Sequence, residues 1–151
     1  MKISLIILAL FHSVLFADQD PVPPKYNIQQ KILCAGDTMD LGNKTIKFNK
    51  IVSDSRCPDG VTCIWAGEVK VLIEFYENGE FKGDKVITGS NISLGQNEVV
   101  SGTDISIAEF FNVKGLNIKG VVVSPYPQAN EKISADEYSV NLEISERVET
   151  D

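Results

Sequence analysis

Apolar residues recur at every second position along much of this chain. Val69, Val71, Ile73 and Phe75 follow that spacing, and Tyr138, Val140, Leu142 and Ile144 alternate with Ser139, Asn141 and Glu143. Successive side chains of a strand point to opposite faces, so each run predicts a strand with one dry face and one wet face. Ile46 and Phe48 share a face, whereas Ile51 is out of phase, which predicts a bulge near Asn49 and Lys50. Ile105, Ile107, Phe110 and Phe111 suggest a further strand with a phase break of its own. A short helix is the other reading of that segment, and its β-branched residues argue for the strand. Leu116, Ile118 and the run Val121, Val122, Val123 predict a strand covered on both faces.

Turn-forming residues separate these runs at short intervals: Gly42-Asn43, Asn78-Gly79, Gly83-Asp84, Gly89-Ser90-Asn91, Gly95-Gln96-Asn97, Ser101-Gly102 and Gly115. Many short alternating strands with such punctuation predict an all-β domain of about seven to nine strands. The expected architecture is a single antiparallel β-sandwich, immunoglobulin-like, with a closed β-barrel as the alternative. The predicted core comprises Ile46, Phe48, Val69, Val71, Ile73, Phe75, Ile107, Val122, Tyr138, Val140, Leu142 and Ile144. The domain is expected over residues 32–146. A Pro-containing extended arm precedes it over 18–31, because Pro21, Pro23 and Pro24 lack amide donors and bias their predecessors towards extended backbone. A polar tail over 147–151 follows it.

Residues 3–16 are almost uninterruptedly apolar, follow Lys2 and end at Ala17. A run that short, at the start of a chain, suits a secretory signal better than a membrane span. Cleavage after Ala17 leaves 151 − 17 = 134 residues, enough for one domain with its own core. The chain carries 14 basic and 21 acidic side chains; removing Lys2 leaves 13 against 21, a balance of −8. That sign argues against nucleic-acid binding, which needs a basic face. No other segment is apolar enough to cross a bilayer, so the mature chain is expected to have no membrane span, in a secreted or periplasmic location. The signal segment also contains His12, the chain's single histidine. Without an imidazole the mature protein has neither Ser-His-Asp nor Cys-His chemistry, nor a histidine-ligated metal. No catalytic residue, cofactor or metal site is expected.

The chemistry concentrates in residues 54–67. Cys57 and Cys63 flank Pro58-Asp59-Gly60, and Trp65, the one tryptophan, follows. A type I turn over Cys57-Pro58-Asp59-Gly60 brings the flanking backbone close enough for a Cys57–Cys63 disulfide in an oxidising compartment. Cys34 is then a free thiol, expected to be buried behind Ile32 and Leu33; a reactive or intermolecular thiol, or a bridge from Cys34 to Cys57 or Cys63, is the alternative, since three cysteines allow three single bridges. Trp65 is either a core-edge side chain packed on the disulfide or a platform beside the loop. Arg56 has Asp54, Asp59 and Glu68 as candidate partners. Asn43-Lys44-Thr45 and Asn91-Ile92-Ser93 match the N-glycosylation acceptor pattern.

The run Asp54-Ser55-Arg56-Cys57-Pro58-x-x-Val61-x-Cys63-x-Trp65-Ala66-Gly67-Glu68, with Pro125-Tyr126-Pro127 and the closing Tyr138-Ser139-Val140-Asn141-Leu142, resembles a group of small bacterial envelope proteins, often lipoproteins. The resemblance implies an envelope compartment and a β fold, and no reaction. This chain lacks the lipid-acceptor cysteine of the lipoprotein members. Read together, these features lead to the expectation of a non-catalytic binding or structural module for a protein or glycan partner. Its candidate contacts are Arg56, Pro58, Asp59 and Trp65, with Tyr126 beside them. The alternative is a protease inhibitor presenting the Cys57–Cys63 loop.

Overall fold

A computed structural model of the chain describes residues 24–90 and 105–148. The expected signal segment, the arm as far as residue 23, the acceptor triplet at Asn91 and the last three residues of the tail lie outside them. Among the described residues eight strands follow in order: β1 (Lys25–Cys34), β2 (Thr38–Leu41), β3 (Lys44–Asp54), β4 (Glu68–Glu77), β5 (Glu80–Ser90), β6 (Ile105–Ser106), β7 (Leu116–Ser124) and β8 (Ser139–Val148). A single turn of helix, α1 (Ala108–Phe111), lies between β6 and β7.

The strands form two four-stranded antiparallel sheets, ordered β1-β8-β7-β6 and β2-β3-β4-β5. This is the expected sandwich; the sheets do not close into a barrel. Hydrogen-bonded neighbours are consecutive in the chain except that β1 lies beside β8, so the connectivity is a meander whose first and last strands meet. Asn78 and Gly79 both have positive φ, 52° and 80°, and join β4 to β5 in the backbone sense that a two-residue hairpin requires.

Ten of the twelve residues predicted for the core are buried in it, with Phe48 and Phe75 the largest. Val122 and Tyr138 are only half-buried. The register of β7 against β8 slips between Ile118 and Gly120, so Val121 and Val123, not Val122, face inward after Leu116 and Ile118. A corresponding slip between Phe48 and Lys50 in β3 is the bulge predicted there. After the two residues of β6 the chain turns helical, so the expected strand over residues 105–111 stops early. Phe110 stacks on Phe75 at 4.2 Å and Phe111 meets it edge-on at 5.8 Å, an arrangement the helical turn allows by bringing adjacent residues to one side.

Both ends of the domain extend past the expected boundaries. Residues 25–31, placed in the arm, are extended as expected but pair with β8, from Lys25 opposite Val148 to Lys31 opposite Leu142. Arg147 and Val148, assigned to the tail, belong to β8. Cys34 is free and, contrary to expectation, exposed. Strand alternation gives the reason: Leu33 takes the inward position and turns Cys34 out.

Candidate functional site

Residues 55–67 connect β3 to β4 and contain the Cys57–Cys63 disulfide, with Cα atoms 6.0 Å apart. The base of the loop is zipped: Ser55 N–H donates to the Glu68 carbonyl at 2.8 Å, and Cys57 N–H to the Ala66 carbonyl at 2.8 Å. Gly67 closes this base with φ 73°; a Cβ there would lie 1.8 Å from the Ser55 carbonyl oxygen. The tight turn falls one residue later than expected. Val61 N–H donates to the Pro58 carbonyl, and Gly60, with φ 78°, takes the position that needs left-handed backbone. On its other side the loop is tied to the β7–β8 connection. Asp59 N–H donates to the Pro127 carbonyl at 2.9 Å, and Ala129 N–H to the Asp59 carbonyl at 3.2 Å.

Arg56 holds this arrangement from inside. Its side chain is fully covered, and that of Asp54 is 7% exposed. Nε donates to Asp54 Oδ1 at 2.8 Å and Nη2 to Oδ2 at 2.6 Å, a two-point pair. Nη1 donates to the Val123 carbonyl at 3.0 Å, and Nη2 also to that of Pro125 at 2.9 Å. The guanidinium carbon lies 5.1 Å from the centre of the Tyr126 ring, whose hydroxyl donates to the Cys57 carbonyl at 2.7 Å. Tyr138 Oη donates to Asp54 Oδ2 at 3.1 Å.

These groups shift one another's titration. Burial pushes the Asp54 carboxyl up, but hydrogen bonds from the Arg56 side chain and amide, the guanidinium charge and the Tyr138 hydroxyl outweigh it and hold the carboxyl below its ordinary value. Burial, then the charge of Asp54 and the hydrogen bond to it, push the Tyr138 phenol up to about 12.

The five candidate contact residues therefore separate. Arg56 is buried and cannot meet a partner. Tyr126 is half-buried beneath the loop, and Pro58 is half-buried. Asp59 and Trp65 face solvent, Trp65 with 78% of its surface exposed, so it is not a core-edge residue. Gly67 breaks the backbone before β4 starts at Glu68, which removes Trp65 from the phase of Val69 and Val71. Beside it Ile64 is completely exposed and Val61 is exposed as well. Sequence reasoning passed over these two aliphatic residues. Their signal was present: apolar residues inside a stapled loop, with no alternation to give them a place in either sheet.

Among the described residues no three His, Cys, Asp or Glu side chains come together, and no helix is long and apolar enough to span a bilayer. No family model, curated protein or solved structure matches this chain.

Proposed function

We propose that this protein is a non-catalytic binding module of a secretory or envelope compartment, and that its contact surface is the loop tip formed by Val61, Ile64 and Trp65. One observation carries the reading. Two adjacent large apolar side chains, Ile64 and Trp65, stand in solvent on a loop whose backbone is fixed by a disulfide, a hydrogen-bonded base and a buried ion pair. A loop ordered in advance loses less entropy on association, by about 0.5–1.5 kcal/mol for each side chain already restrained. Covering Ile64 or Trp65 fully would contribute about 1.5–3 kcal/mol each, about tenfold to more than a hundredfold in Kd. A protein partner with an apolar cleft suits the tip best, because Val61 and Ile64 extend the contact beyond the flat face of Trp65. A glycan would use that face alone.

The disulfide supports an oxidising compartment, in keeping with the envelope signature. The carboxyls of Asp54, Glu74 and Glu80 are shifted downward, opposite to the shift of a general acid. Protease inhibition ranks second, since both backbone groups of Asp59 are engaged by the β7–β8 connection and are not free to pair with an enzyme.

The test compares wild type with an Ile64→Ser, Trp65→Ser double variant in a pulldown from envelope extract. Partners recovered by wild type and lost by the folded variant are expected. Equal recovery by both would remove the tip as the binding site. Inhibition in a protease panel, abolished in the variant, would favour the second reading.

A further inference from the structure

The two arms of the loop are held differently. On the outgoing arm the Tyr126 hydroxyl donates to the Cys57 carbonyl, and both backbone groups of Asp59 bond to the β7–β8 connection. The amides of Gly60 and Val61 donate within the turn, to Asp59 Oδ1 at 3.0 Å and to the Pro58 carbonyl at 3.3 Å. The return arm has nothing of the kind. Among the described residues Thr62, Cys63, Ile64 and Trp65 make no hydrogen bond, and all four are exposed. Packing offers no anchor either, since Ile64 is fully exposed and Trp65 largely so. The next fixed point is Ala66, whose carbonyl accepts from the Cys57 amide. Between Val61 and Ala66 the Cys57–Cys63 bridge is therefore the one restraint, among the described residues, on the backbone that carries Ile64 and Trp65.

The bridge also sits where opening it spares the fold. It joins residues only 6 apart in sequence, and so short a closed loop contributes little to the stability of a domain. The Arg56 side chain and the Ser55–Glu68 bond fix the base of the loop without it. Its two ends differ in access: Cys63 is exposed and Cys57 is half-buried. Thiol–disulfide exchange begins at the sulfur that an incoming thiolate can reach.

We infer that the Cys57–Cys63 bridge is a redox switch for the contact surface. Oxidised, it holds Ile64 and Trp65 ready to bind; reduced by a protein dithiol, it releases residues 62–65 while the sandwich stays folded. The inference rests on the loop tip being the contact surface. A thiolate of the dithiol attacks Cys63 Sγ, the S–S bond breaks, and Cys57 leaves as a thiolate and takes up a proton. The second thiolate of the dithiol then attacks its partner sulfur in the mixed disulfide and releases Cys63, which is protonated in turn. Two electrons and two protons end on the two cysteines, and the dithiol leaves as its own internal disulfide. A partner must then re-order the freed backbone and both apolar side chains, which weakens association about tenfold or more.

The test uses the chain expressed from its full coding sequence and purified in its processed form, carrying Cys34→Ser so that only the bridge responds. It is compared before and after treatment with dithiothreitol and blocking with iodoacetamide. In 15N relaxation the amides of residues 62–65 should have order parameters of about 0.85 when oxidised and below about 0.6 when reduced, while Asp59 and Val61 stay at about 0.85. The far-UV circular dichroism spectrum should not change. Glutathione, a monothiol, should leave its mixed disulfide on Cys63 in an acid-quenched digest, and an adduct on Cys57 would overturn the assigned point of attack. With the reduced protein as bait, partner recovery should fall about tenfold. A Cys57→Ser, Cys63→Ser variant should behave as the reduced protein does, without reductant or alkylation. Equal order of residues 62–65 in both redox states overturns the inference. So does loss of the β spectrum on reduction, which would make the bridge a staple of the whole fold, or partner recovery that ignores redox state. The Ile64→Ser, Trp65→Ser variant separates the two readings. Should it recover the same partners as wild type, the tip is not the contact surface and both fail; should it lose them while reduction does not, the switch alone fails.

Discussion

Replacing Arg56 with Met keeps most of the side-chain length and removes the charge. Four hydrogen bonds disappear: two to the Asp54 carboxylate and one each to the carbonyls of Val123 and Pro125. Asp54 retains the amide of residue 56 at 3.1 Å and the Tyr138 hydroxyl, so its negative charge is left nearly covered and without a cation. Breaking a buried pair in this way costs about 3–5 kcal/mol, because the remaining charge keeps its desolvation penalty. Against the ordinary stability of about 5–15 kcal/mol for a domain, that is a large fraction. Urea unfolding followed by far-UV circular dichroism is the appropriate assay, since Trp65 is already exposed in the folded chain and its fluorescence reports unfolding poorly. The pH dependence supplies an internal check. Wild-type stability from the depressed Asp54 carboxyl is fully present above the ordinary value of 3.8 and is lost as pH falls through the folded pKa. In Arg56→Met burial is less opposed and raises the carboxyl, so the gap between variant and wild type should narrow on acidification. Adding Asp54→Leu should recover much of the loss at neutral pH by removing the orphaned charge. A loss below about 1 kcal/mol, the scale of a surface pair, would refute the account of Arg56 as a buried brace.

Three further outcomes are expected. Gly67→Ala should lower the urea midpoint well beyond Gly60→Ala: both positions have positive φ, costing about 1–2 kcal/mol for a Cβ, but only at Gly67 would that Cβ meet the Ser55 carbonyl, at 1.8 Å. Cys34 should alkylate in the native protein while Cys57 and Cys63 react only after reduction; protection of Cys34 until denaturant is added would contradict its exposure. In an alkaline absorbance titration one tyrosine should ionise near pH 12 and be missing in Tyr138→Phe. Since the folded pKa of Tyr138 is raised, its contribution to stability is complete below the ordinary value of 10.0 and is lost as pH rises through about 12.

Periodicity made the sandwich legible where strands keep one phase. Val69 to Phe75 and Val140 to Ile144 are buried at every second position as read. It failed where a single residue shifts the phase, as between Ile118 and Gly120, and a run of three valines offers no polar residue to reveal which of them turns inward. β1 escaped because seven of its first eight residues are exposed and Gln30 interrupts the alternation of Tyr26, Ile28 and Ile32, so no buried face marks it. Its place is set by pairing with β8, a contact between the first and last strands of the described residues. At the site, the cysteine spacing and Pro58-Asp59-Gly60 were enough to recover the disulfide. The role of Arg56 was hidden because its acceptors at Val123 and Pro125 are backbone carbonyls 67 and 69 residues away, which no side-chain pattern encodes.

The separation of roles around the loop leads to one last expectation. Arg56 acts through directed hydrogen bonds to four acceptors, and directed bonds fix where a backbone lies in a way that non-directional apolar packing does not. The apolar residues of the same loop do the opposite: Ile64 and Trp65 add nothing to the core, so the folded domain gains little from their size. Trp65→Ser should therefore change unfolding stability by no more than about 0.5 kcal/mol, as for other surface substitutions, while removing the tip's largest contact surface. If Trp65 instead only closed the edge of the sandwich, the same change would leave a cavity and cost about 3–5 kcal/mol. The two outcomes differ several-fold and the urea experiment separates them without knowledge of any partner. A near-neutral result leaves Trp65 exposed to no structural advantage, on a loop held in place by a buried ion pair, and that combination is what a prepared contact surface requires.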